Sequence, residues 1–379
     1  MPARTPAPPP RTVPPVVRAF PTLTPFAAGP HAHDPRGVAR LALSENPHGA
    51  SPLALAAARA EVDFAHWYPH SDGEPLRSLL AARFRTAAEQ VIVGNGADEM
   101  ILLAALATAG TGRPAVTTER TFAGYTASLE TAGHTVRQVP LLSDGGTDAA
   151  AVRRALAGAG CVMVCNPHNP TGTALNPADV SALVDAARKA GAVLVLDEAY
   201  AEFADPVTFG SGLDHLDGGR VVVLRTFSKA YGLAGLRAGY AVGDRDVIQA
   251  MATIRTALPY NTNRVALAAA AAALSDSRHL KSVVDDCAAA RRALAAELDA
   301  MAVRVLPSQT NFLLAHLGPC AGTVVDQLAA EHRVHIRHTA GLGFPNWARI
   351  SVPAARDVPH LAAVLRSVLP AHRSQEART

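Results

Sequence analysis

In RTFSKAYGLAGLRAGY (residues 225–240), Lys229 stands among the hydroxyls of Thr226 and Ser228, ahead of a small-residue stretch that ends in Arg237. A lysine so placed is either a solvated loop residue or a nucleophile whose partner carries an anion. Hydroxyls beside the lysine, and a guanidinium eight residues after it, are what a bound phosphate needs. Three more clusters place polar residues directly after an apolar run. GNGADE (94–99) follows QVIV, NPHNPTG (166–172) follows CVMVC, and DEAY (197–200) follows AVLVL. Alone, each has a plain reading: a glycine turn, a double-proline turn, a helix cap. Their order is more specific: turn asparagines, an aspartate at a buried strand end, a lysine at the next strand end, then an arginine.

The elements that must position these residues are legible as short apolar runs separated by helical stretches. Strands are expected at 90–94, 114–118, 134–141, 161–165, 192–197 and 220–226. Helices are expected after GNG and over 176–191, where Pro177 and Asp179 open the helix and Gly191 closes it. Wholly apolar strands alternating with helices predict an α/β fold, a mostly parallel sheet covered on both faces. In such sheets ligands sit at the carboxyl ends of the strands, where the polar clusters fall. Beyond 260 the texture changes. Ala/Leu/Arg helices over 264–301 lead to short strands in VRVLPSQTNFLLAHL, VHIRH and ARISVP, then a helix at 355–369. This predicts a smaller α+β domain. The expected organisation is a Pro-rich, polyproline-prone arm (1–34), a segment joining the small domain (35–54), a large domain (55–260) and a small one (261–379).

The chain has 379 residues, is 49% apolar and 18% charged, and carries a net charge of +3 without a basic block. No nucleic-acid or membrane-surface partner is expected. The longest apolar run, VALAAAAAAL (265–274), is too short to span a bilayer and reads as a buried helix. No secretory signal is expected, and the prolines near the N-terminus argue against a transit helix. Four irregularly spaced cysteines, Cys161, Cys165, Cys287 and Cys320, predict neither disulfides nor a metal site. These features predict a cytoplasmic protein.

SENP (44–47), WYPHSDGEPLRSLLAARF (67–84), GNGADE, NPHNPTG, DEAY, RTFSKAYGLAGLRAGY, LPYNTN (258–263), SQTNF (308–312), VHIRH (334–338) and ARISV (348–352) occur in this order. In them the chain resembles the fold-type I pyridoxal-phosphate aminotransferases, and among these the histidinol-phosphate aminotransferase family. The resemblance implies pyridoxal 5'-phosphate carried on Lys229, its ring nitrogen kept protonated by Asp197, and its phenolic oxygen bonded by Tyr200 and Asn169. Phe122 would stack on the ring. The backbone amides of Ala97 and Asp98, the hydroxyls of Thr226 and Ser228, and Arg237 would hold the phosphate. Tyr68 would reach that phosphate from a neighbouring subunit, which implies a homodimer with composite sites. On the substrate side, Arg349 would grip an α-carboxylate, Arg337 a substrate phosphate, and Asn46 and Asn311 would lie nearby. His48 stands where the family has an aromatic residue and is read here as a loop residue. The implied reaction belongs to histidine biosynthesis. It passes an amino group between L-glutamate and a phosphorylated imidazole keto-alcohol, with amino acids, amino alcohol phosphates and 2-oxo acids as the small-molecule partners. Aromatic amino-acid aminotransferases, and pyridoxal-phosphate oxidases or decarboxylases of specialised metabolism, share much of the pattern.

Overall fold

The computed structural model describes residues 37–217 and 219–376, so the expected arm at 1–34 lies outside the described residues. The described chain opens with strand β1 (Ala39–Leu41) and helices α1 (Pro52–Val62) and α2 (Leu76–Phe84). Strands and helices then alternate: β2 (Val91–Gly94), α3 (Gly96–Thr108), β3 (Ala115–Thr118), α4 (Gly124–Thr131), β4 (Val136–Val139), α5 (Ala149–Ala155), β5 (Cys161–Cys165), α6 (Pro177–Ala190) and β6 (Val193–Asp197). Next come β7 (Val221–Thr226), β8 (Gly239–Gly243) and helices α7 (Arg245–Arg255), α8 (Arg264–Ser275) and α9 (Ser277–Ala300). The chain ends with β9 (Phe312–His316), α10 (Ala321–His332), β10 (Val334–His338), β11 (Trp347–Ser351) and α11 (Val358–Glu376). Helix α11 outruns the expected 355–369, and a short 3-10 turn at Ala355–Asp357 precedes it.

Seven strands form one sheet in the order β2-β8-β7-β6-β5-β3-β4. Only β8 runs against its neighbours. Because strand side chains alternate, an all-apolar run feeds two cores at once. In β5, Cys161, Met163 and Cys165 pack toward α3, α4 and α7. Val162 and Val164 pack toward α5 and α6. Helix α6 carries the expected stops and starts: Asn176 caps it by accepting from the Asp179 amide, and Gly191 ends it at φ +61°. Strand β8 was not expected, because GYAVG is short and bounded by glycines. Those glycines are steric necessities: a Cβ on Gly239 would lie 2.4 Å from the Gly96 carbonyl carbon. Strand β8 thus lies hard against the start of α3.

Helices α1, α2 and α8 cover the β2–β8 edge, burying Ala54, Leu76, Leu80, Ala266 and Ala270 with Val93 and Val242. Each fully buried leucine here contributes about 1.5–3 kcal/mol. Since α8 belongs to this core, the chain crosses to its second sheet after Ser275, not at 260. That sheet has the order β1-β10-β11-β9 and is covered by α9, α10 and α11. Strand β1 pairs in parallel with β10, Ala39 opposite Val334. The first described residues are therefore built into the sheet made by the last third of the chain.

On the face of the large sheet opposite Thr226, Arg225 reaches the fully buried carboxylate of Glu198 through Nε (3.1 Å) and Nη2 (2.7 Å), and Glu202 through Nη1 (3.0 Å). The Gly212 amide and the Ser211 hydroxyl complete the shell of Glu198. Arg225→Ala would leave a buried carboxylate without its cation, an expected loss of about 3–5 kcal/mol in urea unfolding. A loss below about 1 kcal/mol would mean that neutral donors alone satisfy Glu198.

Candidate active site

The carboxyl ends of β5, β6 and β7, the first turn of α3, the approach to α4 and the facing strands β10 and β11 enclose a cavity of about 450 Å³. Ala97, Asp98, Phe122, Asn169, Asp197 and Tyr200 line its large-sheet side. Thr226, Ser228, Lys229 and Arg237 form its floor, and Arg337 and Arg349 its small-sheet wall.

Asp197 ends β6, and strand register sets it beside Cys165 of β5. It is 6% exposed. Its Oδ2 accepts from the Tyr125 hydroxyl at 2.6 Å and its Oδ1 from the Ala199 amide at 3.1 Å. Burial pushes its carboxyl up to about 6, against the lowering effect of those two bonds. Such a carboxylate lacks a cation and favours a protonated ring nitrogen held against it. Tyr125 was absent from the sequence reading. It lies three residues after Phe122, across the turn that opens α4, and its ring meets Phe122 edge-on at 5.5 Å.

At the other end of the cavity lies an anion cup. Helix α3 starts without a side-chain cap, so its first amides stay open. Thr226 donates to the Ser228 hydroxyl at 3.0 Å. Arg237 takes a left-handed backbone, φ +57°, which swings its guanidinium to Asp98 (2.8 Å) and toward Ser228 (3.4 Å). A Cβ on Gly96 would sit 2.7 Å from that guanidinium. Open amides, two hydroxyls and a guanidinium are the donor set of a phosphate dianion.

Between the two ends, half-buried Lys229 donates to the Leu43 carbonyl at 2.9 Å. Burial, and then the charge of Arg349, lower its ammonium to about 8, which eases release of a nucleophilic amine. Tyr200 is buried, with its hydroxyl pushed up to about 12 by desolvation. Arg349 is 2% exposed. It donates to Asn169 Oδ1 at 2.6 Å and to the Ala42 carbonyl at 2.9 Å, while its Nε is buried without a partner. The bond to Arg349 fixes which side of the Asn169 amide is the oxygen, leaving the nitrogen side as a donor. Arg337 stands directly opposite Arg349 in the β10–β11 register. Burial lowers both guanidiniums, Arg349 to about 10.

Three expected site residues do not line this cavity. Asn46 lies in an adjoining cavity and donates to the carbonyl of Ala230, next to Lys229. Asn311 is buried and donates to the Ser44 carbonyl at 3.0 Å, leaving its Oδ1 unpaired. Tyr68 is 81% exposed, with its ring 4.8 Å from that of Tyr260. His48 also lies outside the cavity and pairs with Asp286 of α9 at 3.0 Å. Among the described residues no cluster suited to a metal ion is present. The donor set therefore fits one elongated group: anionic at one end, cationic at the other, and reactive toward an amine between them.

Asp197 also makes a stability prediction for the cofactor-free protein. Its folded value of about 6 lies above the ordinary 3.8, so its favourable share is whole below pH ~4 and is lost as pH rises through about 6. The shift corresponds to about 3 kcal/mol. Cofactor-free Asp197→Asn, which keeps an oxygen for Tyr125, should exceed wild type in stability at pH 7 by up to that amount, with the gap closing near pH ~4. Thermal unfolding across pH reads this, and a gap that does not change with pH would refute it.

The family profile described as aminotransferase class I and II matches residues 36–368. A histidinol-phosphate aminotransferase of Anaeromyxobacter sp. (strain Fw109-5) is 37% identical over 365 residues, 94% of this chain and 99% of that protein. Histidinol-phosphate aminotransferase 2 of Pseudomonas fluorescens (strain Pf0-1) is 37% identical over 340 residues, 89% of this chain and 90% of that protein. The solved structure of histidinol-phosphate aminotransferase from Sinorhizobium meliloti in complex with pyridoxal-5'-phosphate matches with a TM-score of 0.83 at 29% identity, covering 93% of this chain and 99% of that one. A profile across nearly the whole described chain, and relatives that share over a third of its residues end to end, make this protein a member of the class I and II aminotransferases.

Proposed function

We propose that this aminotransferase uses pyridoxal 5'-phosphate to pass an amino group between L-glutamate and a phosphorylated imidazole keto-alcohol, with L-histidinol phosphate and 2-oxoglutarate as the other pair. The observation that carries the substrate class is the in-register pair Arg337 and Arg349. Like charges directly opposite on neighbouring strands destabilise a sheet. Two guanidiniums kept there, one almost fully buried, suit a pocket that takes anionic substrates. The names of the relatives support the same substrate and a place in histidine biosynthesis.

When bound, pyridoxal phosphate supplies an electron-withdrawing ring that weakens the Cα–H bond of the substrate. The chain's residues do the rest. The α3 amides, Thr226, Ser228 and Arg237 hold the phosphate. Asp197, oriented by Tyr125, holds the proton on the ring nitrogen. Tyr200 and the Asn169 amide would bond the phenolic oxygen, and Phe122 would pack on the ring. Lys229 attaches the cofactor and moves the proton at the substrate Cα. Arg349 binds the α-carboxylate of glutamate. Arg337 binds the phosphate of histidinol phosphate and the distal carboxylate of glutamate.

A homodimer belongs to this reading. Val62, Phe64, Trp67, Tyr68, Leu258 and Tyr260 are exposed large apolar side chains at and beyond the end of α1 and after α7. A second copy would cover them and receive Tyr68 at its own phosphate cup. Among the described residues no helix is long and apolar enough to cross a membrane. We place the enzyme in the cytoplasm.

A charge-assisted contact is worth roughly 1.5–3 kcal/mol, or about 10- to 150-fold. Arg337→Ala should lower kcat/KM for histidinol phosphate by about that factor and affect phenylalanine less, as read by steady-state kinetics with 2-oxoglutarate. Preference of the wild type for phenylalanine or tyrosine, untouched by the substitution, would make it an aromatic aminotransferase. Oxygen uptake without a 2-oxo acid acceptor would make it an oxidase.

The composite site has its own test. Inactive Lys229→Ala and impaired Tyr68→Phe subunits, once mixed and exchanged, should regain part of the wild-type activity. Proven exchange without recovery would refute the contribution of Tyr68 in trans.

A further inference from the structure

Glu99 takes no part in the roles assigned above, yet its carboxylate closes a ring around the start of α3. Its Oε2 accepts from the backbone amide of Asn95 at 2.5 Å. Its Oε1 accepts from the Asn261 side-chain amide. The Asn95 side chain in turn donates to the Asn261 carbonyl at 2.8 Å. Asn95 is the residue that ordinarily would cap α3, and its side chain is spent on Asn261 instead. Gly94 makes the folded-back carboxylate possible, since a Cβ there would lie 2.4 Å from Glu99 Oε2.

We infer that Glu99 is a positioning residue for the anion cup. By tying the Asn95 amide and the 258–263 loop together, it fixes the first turn of α3 while leaving the amides of Ala97 and Asp98 open to a ligand. Its negative charge opposes a phosphate nearby, so its benefit is geometric and must exceed that repulsion. The same ring links the cup to Tyr260, which has φ +60° and meets the Tyr68 ring at a tilt, 4.8 Å between centroids. The order of the cup is thereby tied to the exposed apolar edge of the protein. This inference rests on the reading that the cup takes the cofactor's phosphate.

The test compares holoenzymes of wild type, Glu99→Gln and Asn261→Ala. Cofactor is released by dialysis, and equilibrium reloading with pyridoxal phosphate or with pyridoxal is followed by absorbance. Glutamine keeps the shape, but it turns one acceptor into a donor facing another donor. Both variants should bind pyridoxal phosphate at least about tenfold more weakly, while binding of pyridoxal changes by less than about twofold. Asn261→Ala carries the test alone if Glu99→Gln does not fold. Unchanged or tightened binding of pyridoxal phosphate would overturn the inference, because repulsion would then outweigh geometry. An equal loss for both ligands would also overturn it, as general damage to the site. If wild type itself does not prefer the phosphorylated ligand, the phosphate reading of the cup fails first, and this separates the two failures.

Discussion

A carboxylate buried at a strand end, on the wall of the cavity, sets the terms for the whole site. Asp197 sits at a strand end with two donors and no cation, and burial has already raised its carboxyl to about 6. The fold has to hold that group in place against its own preference for water. The parallel strands on either side do so by register, with Cys165 and Leu224 as its neighbours. Helix α4 does so by delivering Tyr125, whose ring is fully buried in the core beneath it. A cationic ring nitrogen would replace a strained, lone carboxylate with a paired one. Binding affinity at this end of the cavity is thus prepared by the cost of folding without a ligand.

The opposite end works by the reverse logic. Positive charge is gathered there: open helix amides, the left-handed Arg237 with Asp98 beside it and, across the cavity, the in-register arginines. Lys229 lies between these fields, and Arg349 helps to depress its ammonium. Two sheets meet at this lysine. One supplies the strand that ends three residues before it, the other the arginine that tunes it, and the Leu43 carbonyl holds its Nζ.

What was legible in the sequence was whatever depends on local pattern. Apolar runs marked β2, β5, β6 and β7, and polar clusters after them marked the strand ends, because a strand buried on both faces writes itself as an unbroken apolar word. Lys229, Asp197, Asn169 and Arg237 line one cavity, as their order along the chain suggested. What was not legible depends on contacts between distant segments. Strand β8 is short and glycine-bounded because it abuts α3, which no window of sequence reveals. Helix α8 is Ala-rich like α9, and only packing assigns it to the large core. Tyr125 and Glu99 act through single hydrogen bonds to partners set by tertiary structure, while Asn311 and Asn46 turn to backbone carbonyls beside the cavity.

The pairing of β1 with β10 has a consequence for the order in which the molecule is made. All seven strands of the large sheet, and every residue of the anion cup, have been synthesised by Gly243. Strand β1, made before any of them, has its partner only when residues 334–336 emerge. Until then the segment leading to Leu43 has no sheet to join, and the carbonyl that holds Lys229 is not in position. Synthesis from the N-terminus therefore builds the cup first and leaves the opening segment waiting for nearly the entire chain. The site closes late, once its earliest strand has returned to β10 and Arg349 of β11 has followed.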